Sequence, residues 1–190
     1  MPVKLAEADQ MTIDEFLGYT RARPDGERWE LIEGVAIMSP SPTDWHQIIS
    51  GNIVSFLLVR KAATHAPWQP LIGIGTRVPV SPKSLPQPDA MVMEGPATGS
   101  STTDDALLLF EVLSRSNSRA DQAWRKRVYA SVPNCQHYVV VATKAAEAVR
   151  YDRARGWLGV TSKGLDASLV LPAIGVAIPL RDIYRWTPIA

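Results

Sequence analysis

Ala106-Leu107-Leu108-Leu109-Phe110-Glu111-Val112-Leu113 is the stretch on which the fold turns. Every residue but Glu111 is apolar, and there is no polar alternation. A strand of that kind is covered on both faces, as at the centre of a sheet with helices above and below. Glu111 is then an anomaly. A carboxylate inside such a run is costly to bury unless a cation or a basic side chain meets it.

The neighbouring segments supply the rest of such a sheet. Asp89 to Met93 reads as a short strand after the proline-rich loop Ser81 to Pro88, and Gly95 to Asp105 as a flexible loop. Arg119 to Ser131 has helical spacing and stops before Pro133. His137 to Ala142 is a second central strand. Ala148 to Asp152, Trp157 to Thr161 and Ser168 to Leu171 read as a closing meander, and Ile178 to Tyr184 as a terminal helical turn.

Upstream, Thr12 and Glu15 form a capping box for a helix to Tyr19, and Arg21 to Glu27 is a polar turn. Trp29 to Met38 is a hairpin turning at Glu33-Gly34. Thr43 or Asp44 caps a long helix, Trp45 to Thr64, with Ile49, Ile53 and Leu57 on one face. Leu71 to Val80 reads as a strand. The order predicts an α/β (α+β) single domain over residues 1–190, with a mixed central β-sheet flanked by helices.

Composition narrows the function classes. The chain has 190 residues, net charge +1 and 46% hydrophobic residues, so any nucleic-acid contact uses a local patch and not a basic global field. Cys135 is the only cysteine, which excludes an internal disulfide and a paired-cysteine zinc site and suits a reducing cytoplasm. Met1 to Asp14 carries Asp9 and Asp14 without an apolar run, unlike a signal peptide, and no stretch is apolar enough to span a membrane. No G-x-S-x-G elbow surrounds Ser114 or Ser116, which read as caps for the helix near Arg119. Trp45 and Trp124 read as helix core contacts.

Asp89 gives Glu111 a partner. The two are 111 − 89 = 22 residues apart, room for a strand and a loop. Adjacent strands would bring both carboxylates together, and two hard oxygen donors suit Mg²⁺ or Mn²⁺. Taken singly, Asp89 is also a fair turn residue, and Glu111 a fair partner for a structural Arg125 or Lys126.

In order, Trp29-Glu30-Leu31-Ile32-Glu33-Gly34, Met38-Ser39-Pro40-Ser41-Pro42 with His46, Pro88-Asp89, Glu111-Val112-Leu113-Ser114-Arg115-Ser116, Asp121 with Tyr129, and Tyr138-Val139-Val140-Val141 resemble the putative restriction endonuclease family of the PD-(D/E)XK nuclease superfamily. The resemblance spans roughly residues 12 to 185. It implies a restriction-endonuclease-like core that cuts DNA with metal-activated water. Asp89 and Glu111 would hold Mg²⁺ or Mn²⁺, the Val112 carbonyl would be a third ligand, and Glu30 would lie near the site. His46 matches a family position too, although a lone histidine at a helix start usually reads as a surface or capping contact.

One position departs from the pattern. The superfamily lysine two residues after the glutamate is Leu113 here, and the lysine that the family resembled carries on the following helix is Arg125. Arginine stabilises phosphate but stays protonated. Lys126 lies about 100° further round the helix. Arg127 projects among Ala120, Ala123, Trp124 and Val128, which makes it a third basic candidate. Two alternatives follow: a degenerate nuclease fold that binds DNA or a protein without cutting, and a scaffold in which a basic side chain neutralises Glu111. Duplex cleavage would suit a homodimer.

Overall fold

The structure is a computed structural model and describes residues 3–4, 10–24, 26–114 and 117–189. Asp9, Asp25, Arg115 and Ser116, which entered the readings above, lie outside the described residues.

A short strand β1 (Val3–Lys4) precedes helix α1 (Ile13–Arg21). The expected capping box is formed: the Thr12 hydroxyl accepts from the Glu15 N–H, and Glu15 accepts from the Thr12 N–H at 2.7 Å. Strands β2 (Trp29–Ile32) and β3 (Val35–Met38) make the hairpin, and β1 adds to it in the order β1-β3-β2. Glu33 and Gly34 both have positive φ, 49° and 80°, as a two-residue hairpin turn requires. Helix α2 (Asp44–Thr64) follows, capped by Thr43.

The main sheet uses β4 (Trp68–Leu71), β6 (Ala90–Glu94), β8 (Ala106–Val112), β9 (His137–Val141), β10 (Glu147–Asp152) and β11 (Leu158–Lys163). Its order is β11-β10-β9-β8-β6-β4, with β8 and β9 parallel and all other neighbours antiparallel. Helix α3 (Arg119–Ala130) makes the crossover that a parallel pair needs. Outside this sheet, β5 (Gly75–Thr76) pairs with β7 (Thr102–Thr103), and β12 (Ser168–Leu171) with β13 (Val176–Pro179), before helix α4 (Leu180–Ile183).

Strand alternation sorts the central residues onto two faces. Leu108, Phe110 and Val112 pack with Ile49, Ile53 and Leu57 of α2 and with Ile183 of α4. Leu109, Met91 and Tyr138 pack on the other face with Val128 and Tyr129 of α3. The unbroken apolar run of β8 is buried along its whole length for this reason. A third cluster joins Ile13 and Phe16 of α1 to Leu31, Ala36 and Leu85.

Three expectations are corrected. The strand read at Leu71 to Val80 begins earlier, at Trp68, and stops at Leu71, where Ile72 is exposed and Gly73 takes φ +68°. Pro70 had masked it, yet β4 is an edge strand, where proline is tolerated. The third segment of the expected meander leaves the sheet and pairs with β13, which runs to Pro179 and shortens the terminal helix. Trp45 is 40% exposed, so it is not a core contact.

The C-terminal segment is tied down by Asn52, whose buried amide donates to the carbonyls of Ile183 (3.0 Å) and Arg185 (2.8 Å). Asn52→Ala leaves two acceptors without their donor. It is expected to cost about 2 kcal/mol and to lower Tm by roughly 4–8 °C, as calorimetry would measure.

Candidate active site

Asp89 sits one residue before β6, and its N–H donates to the Phe110 carbonyl at 3.0 Å. Because Ala90 pairs with Phe110, Asp89 falls opposite Glu111. Alternation points both toward α3, on the face that carries Met91 and Leu109. The two carboxylates thus share one buried end of the sheet.

Arg125 of α3 enters between Glu111 and the hairpin. Its Nη1 donates to Glu111 Oε1 at 2.9 Å and to Glu30 Oε1 at 3.1 Å, and its Nη2 donates to Glu30 Oε2 at 2.8 Å. Asp121, one turn earlier on α3, accepts from Nε at 3.3 Å. The Tyr129 hydroxyl, one turn later, donates to Glu111 Oε1 at 2.7 Å. Glu30 is further fixed by the Gln87 N–H at 2.6 Å. Asp89 has its own partners: Arg28 Nη1 at 2.7 Å on Oδ1, and the Val112 N–H at 2.8 Å and His46 Nε2 at 3.1 Å on Oδ2.

Asp89, Glu111, Glu30, Arg125 and Val112 are therefore gathered. Lys126 and Arg127 are not. Lys126 Nζ lies 4.4 Å from the Tyr151 ring centroid. Arg127 is exposed and lies 3.8 Å from Glu33, so it does not reach under the helix. His46 is a correction in the other direction: it is buried against Asp89 and is not a surface contact. The helix after Glu111 is capped by Ser118, whose side chain accepts from the Asp121 N–H.

Arg28 and Gln87 are the residues that sequence reasoning missed. Arg28 had a signal, since it stands two residues before Glu30 and alternation puts both on one side of the chain. Gln87 had none, because its backbone N–H and carbonyl serve the site.

The charges do not balance. Three buried carboxylates (Glu30, Asp89, Glu111) meet two guanidinium groups (Arg28, Arg125), an excess of 3 − 2 = 1 before the part-exposed Asp121 on Arg125 and the His46 imidazole on Asp89 are counted. Glu111 absorbs the mismatch. Burial pushes its carboxyl up to about 8, with Arg125 opposing and the charges of Asp89 and Glu30 adding to the rise. Burial also works against the Asp89 charge, but the hydrogen bond from His46 and the charge of Arg28 outweigh it and hold Asp89 below its ordinary value. Arg125 is held cationic, because Glu111 and Glu30 outweigh the burial that opposes its charge.

A carboxylate offers about four lone-pair directions. Both donors to Glu111 fall on Oε1, and Oε2 has no hydrogen-bond partner among the described residues. Asp89 Oδ1 takes only Arg28. An open hard oxygen, a second beside it and surplus negative charge fit a small divalent cation. Among the described residues no three His, Cys, Asp or Glu side chains form a ready ligand set. Water and backbone oxygen would complete the shell, as is common for Mg²⁺.

The raised Glu111 value has a consequence for stability. Its folded pKa of about 8 exceeds the unfolded value of about 4.3. The stabilisation is full below the unfolded value and is lost as pH rises through about 8. Asp89 acts in the opposite sense, and only in acid. Without divalent metal, Tm is expected to fall between pH 6 and pH 9, and Glu111→Gln to flatten that slope. An unchanged slope in the variant would assign the titration elsewhere.

Residues 13–181 match the family model Uma2, described as putative restriction endonuclease. A search of curated proteins finds no match. Among solved structures, the chain is similar to the crystal structure of a putative nuclease from Anabaena variabilis, with TM-score 0.74 and 16% identity over 93% of this chain and 98% of that one. That likeness shows a shared mixed α/β fold. The match over most of its length establishes that the chain belongs to the Uma2 family of putative restriction endonucleases.

Proposed function

We propose that the chain is a Mg²⁺- or Mn²⁺-dependent endodeoxyribonuclease with its centre at Asp89 and Glu111. One observation carries this reading. Glu111 Oε2 has no hydrogen-bond partner among the described residues and lies beside Asp89 in a cluster with more carboxylates than guanidinium groups. The Val112 carbonyl, next along β8, is the backbone oxygen proposed to join them.

A bound divalent ion would supply an activated water and neutralise charge on the phosphodiester. The protein's part is positional. Glu30 grips Arg125 with both oxygens and so holds the guanidinium on Glu111. Tyr129 fixes the same Glu111 oxygen and leaves the other to point away. Arg125 stays charged and serves the phosphate, not proton transfer. Arg28, with its side chain 30% exposed, is the second cation for a phosphate oxygen. DNA is the proposed substrate. No described helix is long and apolar enough to cross a membrane. A homodimer is proposed for cutting both strands, and a cytoplasmic location is proposed from the single cysteine, Cys135.

A second reading has one observation behind it. Arg125, standing where the family lysine is expected, is tied to three carboxylates and a tyrosine. That arrangement also suits a fold that holds DNA or a partner without cutting it.

Plasmid cleavage with Mn²⁺ separates the two. Wild type is expected to nick, Asp89→Ala to lose at least a hundredfold in rate, and Arg125→Lys to gain tenfold or more. Calorimetry should show Mn²⁺ uptake strengthening up to about pH 8, because Glu111 must lose its proton. Uptake without cleavage in wild type and Arg125→Lys would establish the binding module. No uptake at all would sink the metal-dependent reading and leave a metal-free binding or scaffold role.

A further inference from the structure

A cavity of about 390 Å³ opens beside the carboxylate cluster, between α1, the start of β2 and the segments around Gly73 to Gly75 and Leu85 to Gln87. We infer that it is a nucleobase subsite, which takes one base turned out of the DNA strand whose phosphate lies at Asp89 and Glu111. This rests on the proposal that DNA is the substrate.

Three observations point there. The first is continuity. Trp29 lines the cavity, while Arg28 and Glu30 on either side of it reach the carboxylate cluster. Gln87 also lines it, while its N–H holds Glu30 and its carbonyl accepts from Arg28. The cavity and the cluster therefore share a wall one residue thick. Trp29 and Glu30 face opposite sides of β2, so a nucleotide with its phosphate at the cluster would reach the cavity by passing round that wall.

The second is shape and chemistry. The size falls in the range of small-ligand pockets, roughly 300–1,000 Å³. The half-buried Trp29 ring gives an aromatic surface for one face of a flat ring, with Phe16 and Leu85 buried behind it. At the rim, the Gln87 side-chain oxygen, the Ser101 hydroxyl and the Arg21 guanidinium have no hydrogen-bond partners among the described residues. An acceptor, a hydroxyl and a cation are what the mixed polar edge of a base requires. A side chain at Gly75 would intrude: a Cβ there would come within 2.8 Å of Leu85.

The third is rigidity. The Trp29 indole N–H donates to Glu27 at 2.7 Å, and its ring stands edge-on to Tyr19, 5.3 Å between centroids. Arg23 lies 4.3 Å from the Tyr19 centroid on the same cluster. A platform fixed in this way can stack a base without first being ordered.

Extruding a base costs least where it is already unpaired. The test is fluorescence anisotropy, without divalent metal, on a fully paired duplex and on the same duplex with one unpaired base. Wild type is expected to bind the unpaired form at least tenfold more tightly. The preference should shrink to within twofold in Trp29→Ala and in Thr20→Trp, which fills the cavity from the half-buried face of α1. Should Trp29→Ala fail to fold, Thr20→Trp decides alone. No preference in wild type, or a preference surviving in folded variants, overturns the subsite. Displacement of the unpaired-base duplex by micromolar deoxyadenosine monophosphate would overturn it too, in favour of a free nucleotide. If wild type cuts plasmid yet shows no preference, only the subsite falls. If it binds neither duplex and takes up no Mn²⁺, the nuclease reading falls with it.

Discussion

A guanidinium buried between two carboxylates holds three parts of this protein in register. Arg125 comes from α3, Glu111 from the central strand β8, and Glu30 from the hairpin. A buried ion pair of this kind adds little net stability over apolar packing, but losing one member strands the others in a medium that cannot solvate them. The hairpin, the helix and the sheet must therefore close together around the charges. Asp121 and Tyr129, one turn to either side of Arg125, complete the set from a single face of α3. Arg28 does the same for Asp89 from the other end of the hairpin strand.

The same constraint shapes the chemistry. The cluster holds more carboxylates than guanidinium groups, and burial together with the charges of Asp89 and Glu30 raises Glu111 toward neutrality. A cation arriving there would displace a proton and not a side chain. Asp89 stays ionised, because His46, Arg28 and the Val112 N–H all stabilise its charge. Two carboxylates of opposite protonation preference stand side by side, and the difference comes from which neighbours each one has.

Much of this was legible in the sequence. The unbroken run of β8 told of a sheet covered on both sides, and Glu111 stood out because nothing apolar justified it. The 22-residue spacing to Asp89 left room for the two to stand on adjacent strands, and the pairing of β6 with β8 brings them there. The capping box at Thr12 and the turn at Glu33-Gly34 followed from local rules that tertiary structure did not override. Side-chain direction beyond the strand or helix of origin was less legible. Lys126 and Arg127 were reasonable rivals to Arg125, and only the docking angle of α3 turns them away. His46 looked like a capping residue, because its burial depends on how α2 lies across the end of β6. Pro70 hid an edge strand, since sequence alone does not say which strand is outermost.

The central claim is that Asp89 and Glu111 form a cation site whose open position is Glu111 Oε2. Crystals soaked in Mn²⁺ at pH 8 and measured at the manganese absorption edge test it directly. The account predicts an anomalous peak about 2.1–2.2 Å from Glu111 Oε2 and from an Asp89 oxygen, with Arg125 still seated between Glu30 and Glu111. No peak at that place in fully soaked crystals, with both carboxylates still closed on their arginines, would contradict it.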